Sequence, residues 1–355
     1  MAPEEDTQIK LKSPRVTITD VSDALGLTKS TVSRALNGYA DISETTRLRV
    51  RRMADRMGYR PLSHAQAIRT GRTRSLGLVI QLADHDAQRP FLAEFLAGLS
   101  QGASAEGCTL TIATSDSPAA TLETFRAMIA DRKADGFILP RTMSHDPRAE
   151  LLRAADVPFV LFGRCADLTG CAYYDVLGEN AMRAAVARLT ALGHRRIGFI
   201  NGGMQYAYAE LRREGFRDGM RRAGLEIRED WMREGCVTLA AGEAAATAML
   251  SREDRPTAIV TAVDMAAIGV YRAAAHHGLA IGSDLSVISY DGIPDGAHLT
   301  PPLSTYAADF TEAGRRLSAL LLQRIRGVDP ESLREVVEAR FLDRGSVGPP
   351  VHTTA

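Results

Sequence analysis

Short apolar runs alternate with longer helical segments along most of the chain, from about residue 75 onward. Seven of these runs are almost continuously apolar and are predicted as β-strands: SLGLVIQL, CTLTIAT, DGFILP, PFVLFG, RRIGFING, TAIVTA and LSVISYD. Strands that are apolar on both faces are typical of parallel sheets covered by helices. The pattern therefore predicts an α/β fold with parallel sheets.

The segments between these strands have helical periodicity, and several end in glycine, a common residue at helix C-termini. They are FLAEFLAGLSQGASAEG, TLETFRAMIADRK, ENAMRAAVARLTALG, AELRREGFRDGMRRAG, DMAAIGVYRAAAHHG and TEAGRRLSALLLQRI. About ten strand–helix alternations exceed the usual size of one open sheet, so two lobes are predicted. Ligands bind beyond the carboxyl ends of parallel strands, and we expect those ends to face each other across a cleft.

The N-terminal segment has the signals of short, capped helices. Thr17 precedes an apolar-periodic stretch with Asp20 three residues later, which is a capping-box arrangement, and Gly26 ends this first helix. After a tight turn, Thr28 is the predicted N-cap of a second helix over residues 29–36. Two short helices joined by a tight turn are the expected local structure.

The second helix is apolar on one side only. Val32 and Leu36 are spaced i,i+4 and predict a packed face, while the rest of this helix is mostly polar. Ser43 is the predicted N-cap of a third helix over 44–57, with Arg47, Arg51 and Arg52 in solvent near phosphates. The inward positions of this helix are expected to be Leu48, Met53 and Met57.

Charge is distributed unevenly along the chain although the net charge is zero. Residues 15–74 contain 12 Lys and Arg against 5 Asp and Glu, whereas residues 75–355 contain 29 against 35. A basic module on an acidic body indicates a polyanionic partner for the module, because phosphate neutralisation and counterion release drive such binding.

The segment VTITDVSDALGLTKSTVSRALNG closely resembles the headpiece of the LacI/GalR family of bacterial repressors, V-T-(I/L)-x-D-V-A-x-x-A-G-V-S-x-x-T-V-S-R-x-L-N-G. The resemblance continues through TRLRVRRMADRMGYRP and IRTGRTRSLGLV. It extends more loosely through ALGHRRIGFI, REGFRDGM, RPTAIVTAVDMAAIGVYRA, SVISYDG and PPLST. It implies an all-α helix-turn-helix headpiece and a periplasmic-binding-protein-like body of two Rossmann-like lobes with three crossovers. A repressor of carbohydrate-utilisation genes is the implied function. Its implied partners are double-stranded operator DNA, a small sugar-like effector and a second copy of the chain.

In this family the second helix enters the major groove, so the resemblance implies that Lys29, Ser30 and Arg34 read bases. Arginine bonds guanine bidentately, and one good pair discriminates by about 1–3 kcal/mol. Alternatively, Lys29 and Ser30 touch only phosphates, as about half of protein–DNA contacts do. The full set implied to contact DNA is Thr17, Thr28, Lys29, Ser30, Thr31, Ser33, Arg34, Asn37, Ile68 and Arg69.

The segment LSHAQAIRTG, residues 62–71, matches the hinge helix of the family, in which a leucine usually wedges into the minor groove. Ile68 occupies that position, and apolar side chains of this kind partly unstack a base step and kink the duplex. Arg69 is a candidate contact to the minor groove or to phosphate. The alternative for Ile68 is ordinary packing between domains.

The resemblance also implies an effector site. The family's arginine three residues before Gly-Phe corresponds to Arg212, and the aspartate of its YDD motif corresponds to Asp291. Both side chains form strong, directional hydrogen bonds to vicinal hydroxyls when water is excluded. Phe91 matches an aromatic residue that stacks on a ring. The remaining candidates follow strand ends, where a solvated loop charge is the alternative: Asp116, Arg141, Arg164 and Asp264.

Several positions depart from the family pattern. Val263 replaces an Asn before Asp264, Leu177-Gly178 replaces Asp-Asn, and Ala308 and Val237 replace a Gln and an aromatic residue. Two polar anchors are therefore missing, and the identity of the effector stays open. Release from DNA on effector binding is the usual response in the family, with co-repression as the alternative.

We expect neither an enzyme nor a transport protein. GLSQG at 98–102 fits G-x-S-x-G but lies inside a helical pattern, and no phosphate loop, GxGxxG or HExxH occurs. The four cysteines lack CxxC spacing, and His276-His277 lacks a carboxylate at metal spacing. Neither a metal nor a cofactor is predicted. A sugar-binding transport protein would share the body, but residues 1–14 lack the apolar region of a secretion signal. A cytoplasmic protein with no membrane contact is expected.

The pattern and the resemblance together predict the domain organisation. The expected segments are a disordered leader at 1–14, the headpiece at 15–61, a hinge helix and linker at 62–74, the body at 75–347 and a disordered tail at 348–355. Within the body, lobe 1 is expected at about 75–175 and 307–335, and lobe 2 at about 176–306 and 336–347.

Overall fold

The structure is a computed structural model, and it describes residues 16–59, 71–82 and 89–350. The chain divides into two compact units, with the boundary between Thr73 and Arg74. Each unit has its own hydrophobic core.

Some of the predictions concern other parts of the chain. The expected leader, the hinge positions Ile68 and Arg69, and residues 351–355 of the expected tail lie outside the described residues. Within the described part of the chain, none of the helices is both long enough and apolar enough to cross a membrane.

The described part of the N-terminal unit contains three helices: α1 (Ile18–Leu25), α2 (Lys29–Leu36) and α3 (Glu44–Met57). The predicted caps are confirmed. The Thr17 hydroxyl accepts a hydrogen bond from the Asp20 amide at 3.4 Å, and the Asp20 carboxylate accepts one from the Thr17 amide at 2.7 Å. Gly26 ends α1 in the left-handed conformation with φ of 64°, which glycine adopts without a steric penalty.

The core of this unit is formed by one face of each helix. Val21, Val32 and Val50 are fully buried there. Met53 and Met57 pack against them as predicted, but the prediction for Leu48 is wrong, because 44% of this residue is exposed. Leu48 precedes Val50 by two positions, which places the two side chains on opposite sides of a helix with 3.6 residues per turn.

The C-terminal unit contains two six-stranded sheets, and the α/β fold class is confirmed. The first sheet has the order β11-β5-β4-β3-β1-β2, and all its neighbouring strands are parallel. Its strands are β1 (Ser75–Gln81), β2 (Thr109–Ser115), β3 (Gly136–Leu139), β4 (Phe159–Phe162), β5 (Ala172–Val176) and β11 (Arg334–Val337). We refer to this sheet and its helices as lobe 1.

The second sheet has the order β12-β10-β9-β8-β6-β7 and forms lobe 2 with its helices. It is parallel except for β12, which pairs antiparallel with β10. Its strands are β6 (Ile197–Ile200), β7 (Met232–Arg233), β8 (Ala258–Thr261), β9 (Ser286–Asp291), β10 (Ser304–Ala307) and β12 (Arg340–Leu342). The chain crosses between the lobes three times, after β5, β10 and β11.

Helices cover the sheets, as the apolar strands require. They are α4 (Arg89–Ala105), α5 (Pro118–Ala130), α6 (Pro147–Ala154), α7 (Gly178–Ala191), α8 (Ala207–Arg222), α9 (Leu239–Leu250), α10 (Asp264–His276) and α11 (Phe310–Ile325). The hydrophobic pattern predicts six of these helices but does not mark α6 and α9. The largest cluster of buried apolar residues includes side chains from both lobes.

Helices α4 and α11 cross at very short range because each contributes a glycine. A Cβ atom on Gly98 would lie 2.1 Å from the Thr311 carbonyl oxygen, and one on Gly314 would lie 2.5 Å from that of Phe95. Gly98 is the first residue of the GLSQG segment. The match to the nucleophile pattern G-x-S-x-G therefore has a structural explanation. Gly98 is needed where the two helices touch, and Ser100 lies on the exposed face of the same helix.

Candidate functional site

A cavity of about 120 Å³ lies between the two lobes, at the carboxyl ends of the parallel strands. We call it the interlobe cavity. The charged and aromatic residues that line it are Phe91, Arg141, Phe162, Arg164, Asp175, Glu179, Tyr208, Arg212, Tyr290, Asp291 and Phe310. A second cavity of about 360 Å³ adjoins it and is lined mostly by lobe 1, with Gln205 and Tyr206 from lobe 2; the two cavities share Phe91, Pro140 and Arg141. Both lie where ligands of open parallel sheets are expected.

Arg212 of α8 is a well-oriented cation in the interlobe cavity. Its guanidinium lies 3.7 Å from the ring centroid of Tyr290 and 4.6 Å from that of Tyr208, and it donates a hydrogen bond to the Ala262 carbonyl. Gly178 makes room for it, because a Cβ atom there would lie 2.8 Å from Arg212 Nε. The guanidinium is therefore held in place before any ligand arrives.

Asp291 ends β9 beside this guanidinium, with 4.0 Å between its Oδ1 and Arg212 Nη1. Burial raises the pKa of the Asp291 carboxyl to about 7, although the charge of Arg212 acts in the opposite direction. The backbone φ of Asp291 is 126°, a conformation rare for residues other than glycine. Strained backbone of this kind concentrates at functional sites.

Arg164 lines the same cavity but has two carboxylate partners. Its guanidinium donates to Asp175 and, at 2.6 Å, to Glu179. Burial raises the pKa of the Asp175 carboxyl, and the charge of Arg164 partly opposes this effect. Arg164 is thus the centre of a local ion-pair network that holds the end of β5 to the start of α7.

Two buried polar atoms of the interlobe cavity have no hydrogen-bond partner among the described residues. They are Arg212 Nε, which is a donor, and Glu179 Oε2, which is an acceptor. Unsatisfied buried polar groups are costly, by about 1–3 kcal/mol each, and in native proteins they usually mark a bound ion, water or ligand. Two residues that line the cavity thus have a donor and an acceptor whose hydrogen-bonding capacity the described residues leave unused.

An apolar wall faces these charges. Phe91 and Phe310 have ring centroids 4.9 Å apart, and Phe162 lies 6.3 Å from Phe310. Arg141 follows β3 with φ of 53° and donates to the Tyr206 hydroxyl at 3.2 Å. The wall and the charges together suit a ligand with an apolar face and polar edges.

The N-terminal unit has its own candidate surface on α2. Val32 and Ala35 are buried, whereas Lys29, Ser30 and Arg34 are exposed on the other side of the helix. The other predicted DNA contacts in the described part of this unit are also exposed or partly exposed: Thr17, Thr28, Thr31, Ser33 and Asn37. The geometry thus presents all of these residues to solvent.

Arg34 is oriented by two neighbours that follow α2. It forms an ion pair with Asp41 and lies 5.1 Å from the ring centroid of Tyr39. Asn37 donates to the Ser33 hydroxyl at 3.3 Å, and the Thr28 and Thr31 hydroxyls are 2.9 Å apart. An exposed, oriented arginine on a helix is suited to reading a base edge.

Comparison with known proteins identifies the chain. The model of "Bacterial regulatory proteins, lacI family" matches residues 17–62, and that of a periplasmic binding protein-like domain matches residues 186–347. The HTH-type transcriptional regulator AglR of Rhizobium meliloti (strain 1021) is 32% identical over 340 residues, which cover 94% of this chain and 95% of AglR. The chain belongs to the LacI family.

Solved structures of LacI-family proteins agree with this assignment. A transcriptional regulator CelR–cellobiose complex is 29% identical, with a TM-score of 0.72, over 94% of this chain and all of that one. The Lac repressor dimer bound to operator and the anti-inducer ONPF has a TM-score of 0.80 at 26% identity, with the same coverage. This LacI-family protein is a sequence-specific DNA-binding transcriptional regulator.

Two of the predicted effector residues do not line the interlobe cavity of this LacI-family regulator. Asp116 is exposed elsewhere on lobe 1. Asp264 is fully buried, and its carboxylate accepts hydrogen bonds from the amides of Gly292 and Ile293 and from the Thr305 hydroxyl, each at 2.8 Å. The geometry thus corrects the prediction for Asp264, whose carboxylate holds the loop after β9 rather than facing a ligand.

Several lining residues were missed by the sequence analysis. Asp175 and Glu179 flank the first crossover, and Tyr208 and Tyr290 orient Arg212. The run AYYDV, which forms β5, is the signal that could have located Asp175, because a strand there would have placed its acidic residue at a carboxyl end.

Proposed function

We propose that this LacI-family regulator represses carbohydrate-utilisation genes. In this proposal it binds an operator as a homodimer through α2 and releases it when a small sugar-like effector occupies the interlobe cavity. The headpiece would be residues 15–61, the hinge 62–74 and the body 75–347, with no catalytic role for any of them. Such a protein acts in the cytoplasm, where its operator is.

The observation that carries this proposal is the pair of unsatisfied atoms in the interlobe cavity. A sugar hydroxyl both donates and accepts hydrogen bonds, so neighbouring hydroxyls can satisfy Arg212 Nε and Glu179 Oε2 together. The aromatic wall of Phe91, Phe162 and Phe310 suits the apolar face of a sugar ring. The CelR relative in complex with cellobiose supports the same ligand class.

Control of DNA binding follows from the position of the cavity between the lobes. A ligand that contacts Arg212 in lobe 2 and Glu179 at the crossover favours one angle between the lobes over another. An effector shifts operator affinity only by its differential affinity for the two states, typically 1–3 kcal/mol, or roughly 5- to 150-fold.

The proposal is tested with the full chain and a labelled fragment of DNA from upstream of its own gene. Anisotropy titrations are run at two salt concentrations, with and without a panel of mono- and disaccharides that includes cellobiose. We expect tight, salt-sensitive binding that one sugar weakens. If no sugar alters DNA binding at any salt concentration, the proposed effector class is wrong.

Variants assign the roles of individual residues. Arg212→Met is expected to keep operator binding and to weaken the sugar response on the order of 10- to 100-fold, because it removes charge-assisted hydrogen bonds. Arg213→Met is the matched control, since this neighbour lies 4.0 Å from Glu234 outside the cavity. Arg34→Ala is expected to relax sequence preference, whereas Arg51→Ala should weaken binding to all sequences alike.

A further inference from the structure

The segment between β4 and β5 contains two cysteines whose thiols lie together. Cys165 Sγ is 3.0 Å from the Asp167 carbonyl oxygen, and Cys171 Sγ is 3.8 Å from the same oxygen. Both cysteines are free, Cys171 is fully buried and Cys165 is partly exposed. Both reduced sulfur atoms thus lie within 3.8 Å of the same carbonyl oxygen.

A cation completes this cluster. Arg153 Nη2 of α6 lies 3.4 Å from Cys171 Sγ, and Arg153 Nη1 lies 3.4 Å from the Asp167 carboxylate. The hydrogen bond from Cys165 and the charge of Arg153 lower the pKa of the Cys171 thiol to about 7, against the effect of burial. The same hydrogen bond raises the pKa of Cys165. Cys171 is therefore the thiol of the pair that loses its proton more readily.

The other two cysteines lack this environment. Burial raises the pKa of both Cys108 and Cys236, and their thiols donate only to the backbone carbonyls of Glu106 and Glu234. The thiolate is the form that reacts with oxidants, so these two cysteines serve as internal controls.

We propose that Cys165 and Cys171 form a redox-active dithiol that a hydroperoxide converts into a disulfide. Cys165 is the partly exposed cysteine of the pair, and it becomes the attacking thiolate when the Cys171 thiolate accepts its proton. The thiolate attacks the outer peroxide oxygen, an S–O bond forms, the O–O bond breaks, and the remaining oxygen leaves as an alcohol or water. Cys171 then attacks the sulfenic sulfur, the S–S bond forms and water leaves. Two electrons pass from the two sulfur atoms to the peroxide.

The dithiol is connected to the interlobe cavity through Arg164, the residue before Cys165. The Arg164 carbonyl accepts from the Thr142 hydroxyl at 2.8 Å, and its side chain holds Asp175 and Glu179. A disulfide at Cys165 displaces the backbone next to Arg164, and this weakens the ion pairs of Arg164 with Asp175 and Glu179. Oxidation would thereby act on effector binding, and this one consequence rests on the proposed function.

Arg334 of β11 also holds the segment between β4 and β5. Its guanidinium donates to the Leu168 carbonyl at 2.6 Å and to the Cys171 carbonyl at 3.2 Å. Strand β11 comes directly before the last crossover between the lobes. The dithiol thus lies between a crossover strand and the cavity, which are the parts that an altered lobe angle would move.

The test uses the full-length, reduced protein and limiting hydrogen peroxide, followed by alkylation, tryptic digestion and mass spectrometry without reductant. Cleavage after Arg164 and Arg183 places both cysteines in one peptide of residues 165–183. We expect this peptide to lose two hydrogens and to resist alkylation, while Cys108 and Cys236 remain alkylated. Oxidation of Cys108 or Cys236 at an equal rate, or no loss of hydrogens in 165–183, would overturn the proposal.

Variants test the chemistry without a change to either sulfur. Arg153→Gln is expected to slow disulfide formation on the order of fivefold, because the Cys171 thiolate is less stable without the cation beside it. Arg126→Gln, at an exposed position on α5, is the matched control and should react at the wild-type rate. An Arg153→Gln rate equal to the wild-type rate would contradict the assigned role of the cation.

Hydrogen–deuterium exchange tests the connection to the cavity and needs no effector. After peroxide treatment, amides of residues 172–180 are expected to exchange at least about threefold faster in the wild type but not in Cys165→Ser. Unchanged exchange with a proven disulfide would disprove the link to the cavity. It would leave the proposed sugar response, which is measured separately by anisotropy, unaffected.

Discussion

Replacement of Asp264 tests how the loop after β9 is held. The carboxylate accepts from two amides and one hydroxyl, and in Asp264→Ala all three donors lose their partner inside lobe 2. Hydrogen bonds to charged groups contribute about 1.5–3 kcal/mol each, and burial of the carboxylate itself costs part of that gain. We expect Asp264→Ala to lower the free energy of unfolding by about 3–5 kcal/mol.

Asp264→Asn separates the role of hydrogen bonding from that of charge. An asparagine oxygen can still accept from Gly292 and Ile293, while its amide can donate to the Thr305 hydroxyl after that group rotates. The expected loss is about 1–2 kcal/mol, because the bonds persist without charge assistance. A cavity-facing ligand contact would show the reverse pattern, with lost effector response and little change in stability.

Urea unfolding followed by tryptophan fluorescence measures both losses. Trp231 is the only tryptophan of the chain and is buried in lobe 2, so its emission reports on the lobe that contains Asp264. Asp295→Ala is the control, since Asp295 is exposed in the same lobe. The reasoning is refuted if Asp264→Ala destabilises by less than about 1 kcal/mol, or if Asp295→Ala destabilises equally.

Three further predictions concern the titratable side chains of Asp41, His194 and Asp291. Asp41→Asn should raise operator affinity roughly two- to fivefold in anisotropy titrations at low salt, because it releases Arg34 and removes a negative charge near phosphates; a weaker complex would contradict this. Burial lowers the pKa of His194, whose ring donates to the Gly348 carbonyl, so the unfolded chain binds the proton more readily. As pH falls below about 6.5, urea titrations should show the wild type losing stability relative to His194→Gln, a comparison that cancels the titration of other groups such as Asp291. The pKa of Asp291 is raised to about 7, so sugar affinity measured by calorimetry should increase from pH 6 to 8 as the carboxylate forms, and Asp291→Asn should show no such increase.

The headpiece could be predicted from sequence because its signals are local. Thr17, Thr28 and Ser43 each cap a helix through atoms three residues away, and Gly26 and Gly58 end helices by their own backbone conformation. Such interactions are encoded within one turn of helix and need no knowledge of the rest of the fold. The prediction for Leu48 was wrong because this apolar residue was assigned to the buried face of α3, whereas it lies on the exposed face.

The architecture of the body was also predictable, since apolar strands and amphipathic helices follow from the periods of the chain. The candidate site was predicted only in part. Arg212 and Asp291 were placed through resemblance and do lie 4.0 Å apart. Whether a charge after a strand faces the cavity, as Arg141 does, or lies on the surface, as Asp116 does, depends on the path of the following loop.

The folded structure is needed to show which groups meet across long stretches of sequence. The hydrogen bond of Asp264 to Thr305, the two rings that hold Arg212, and the contact of Arg153 with Cys171 all join different elements. By itself the sequence determined the helix caps, the alternation of strands and helices, and the basic character of the headpiece. Capping and periodicity arise from neighbours along the chain, whereas the partners of a buried charge are set by how whole elements pack.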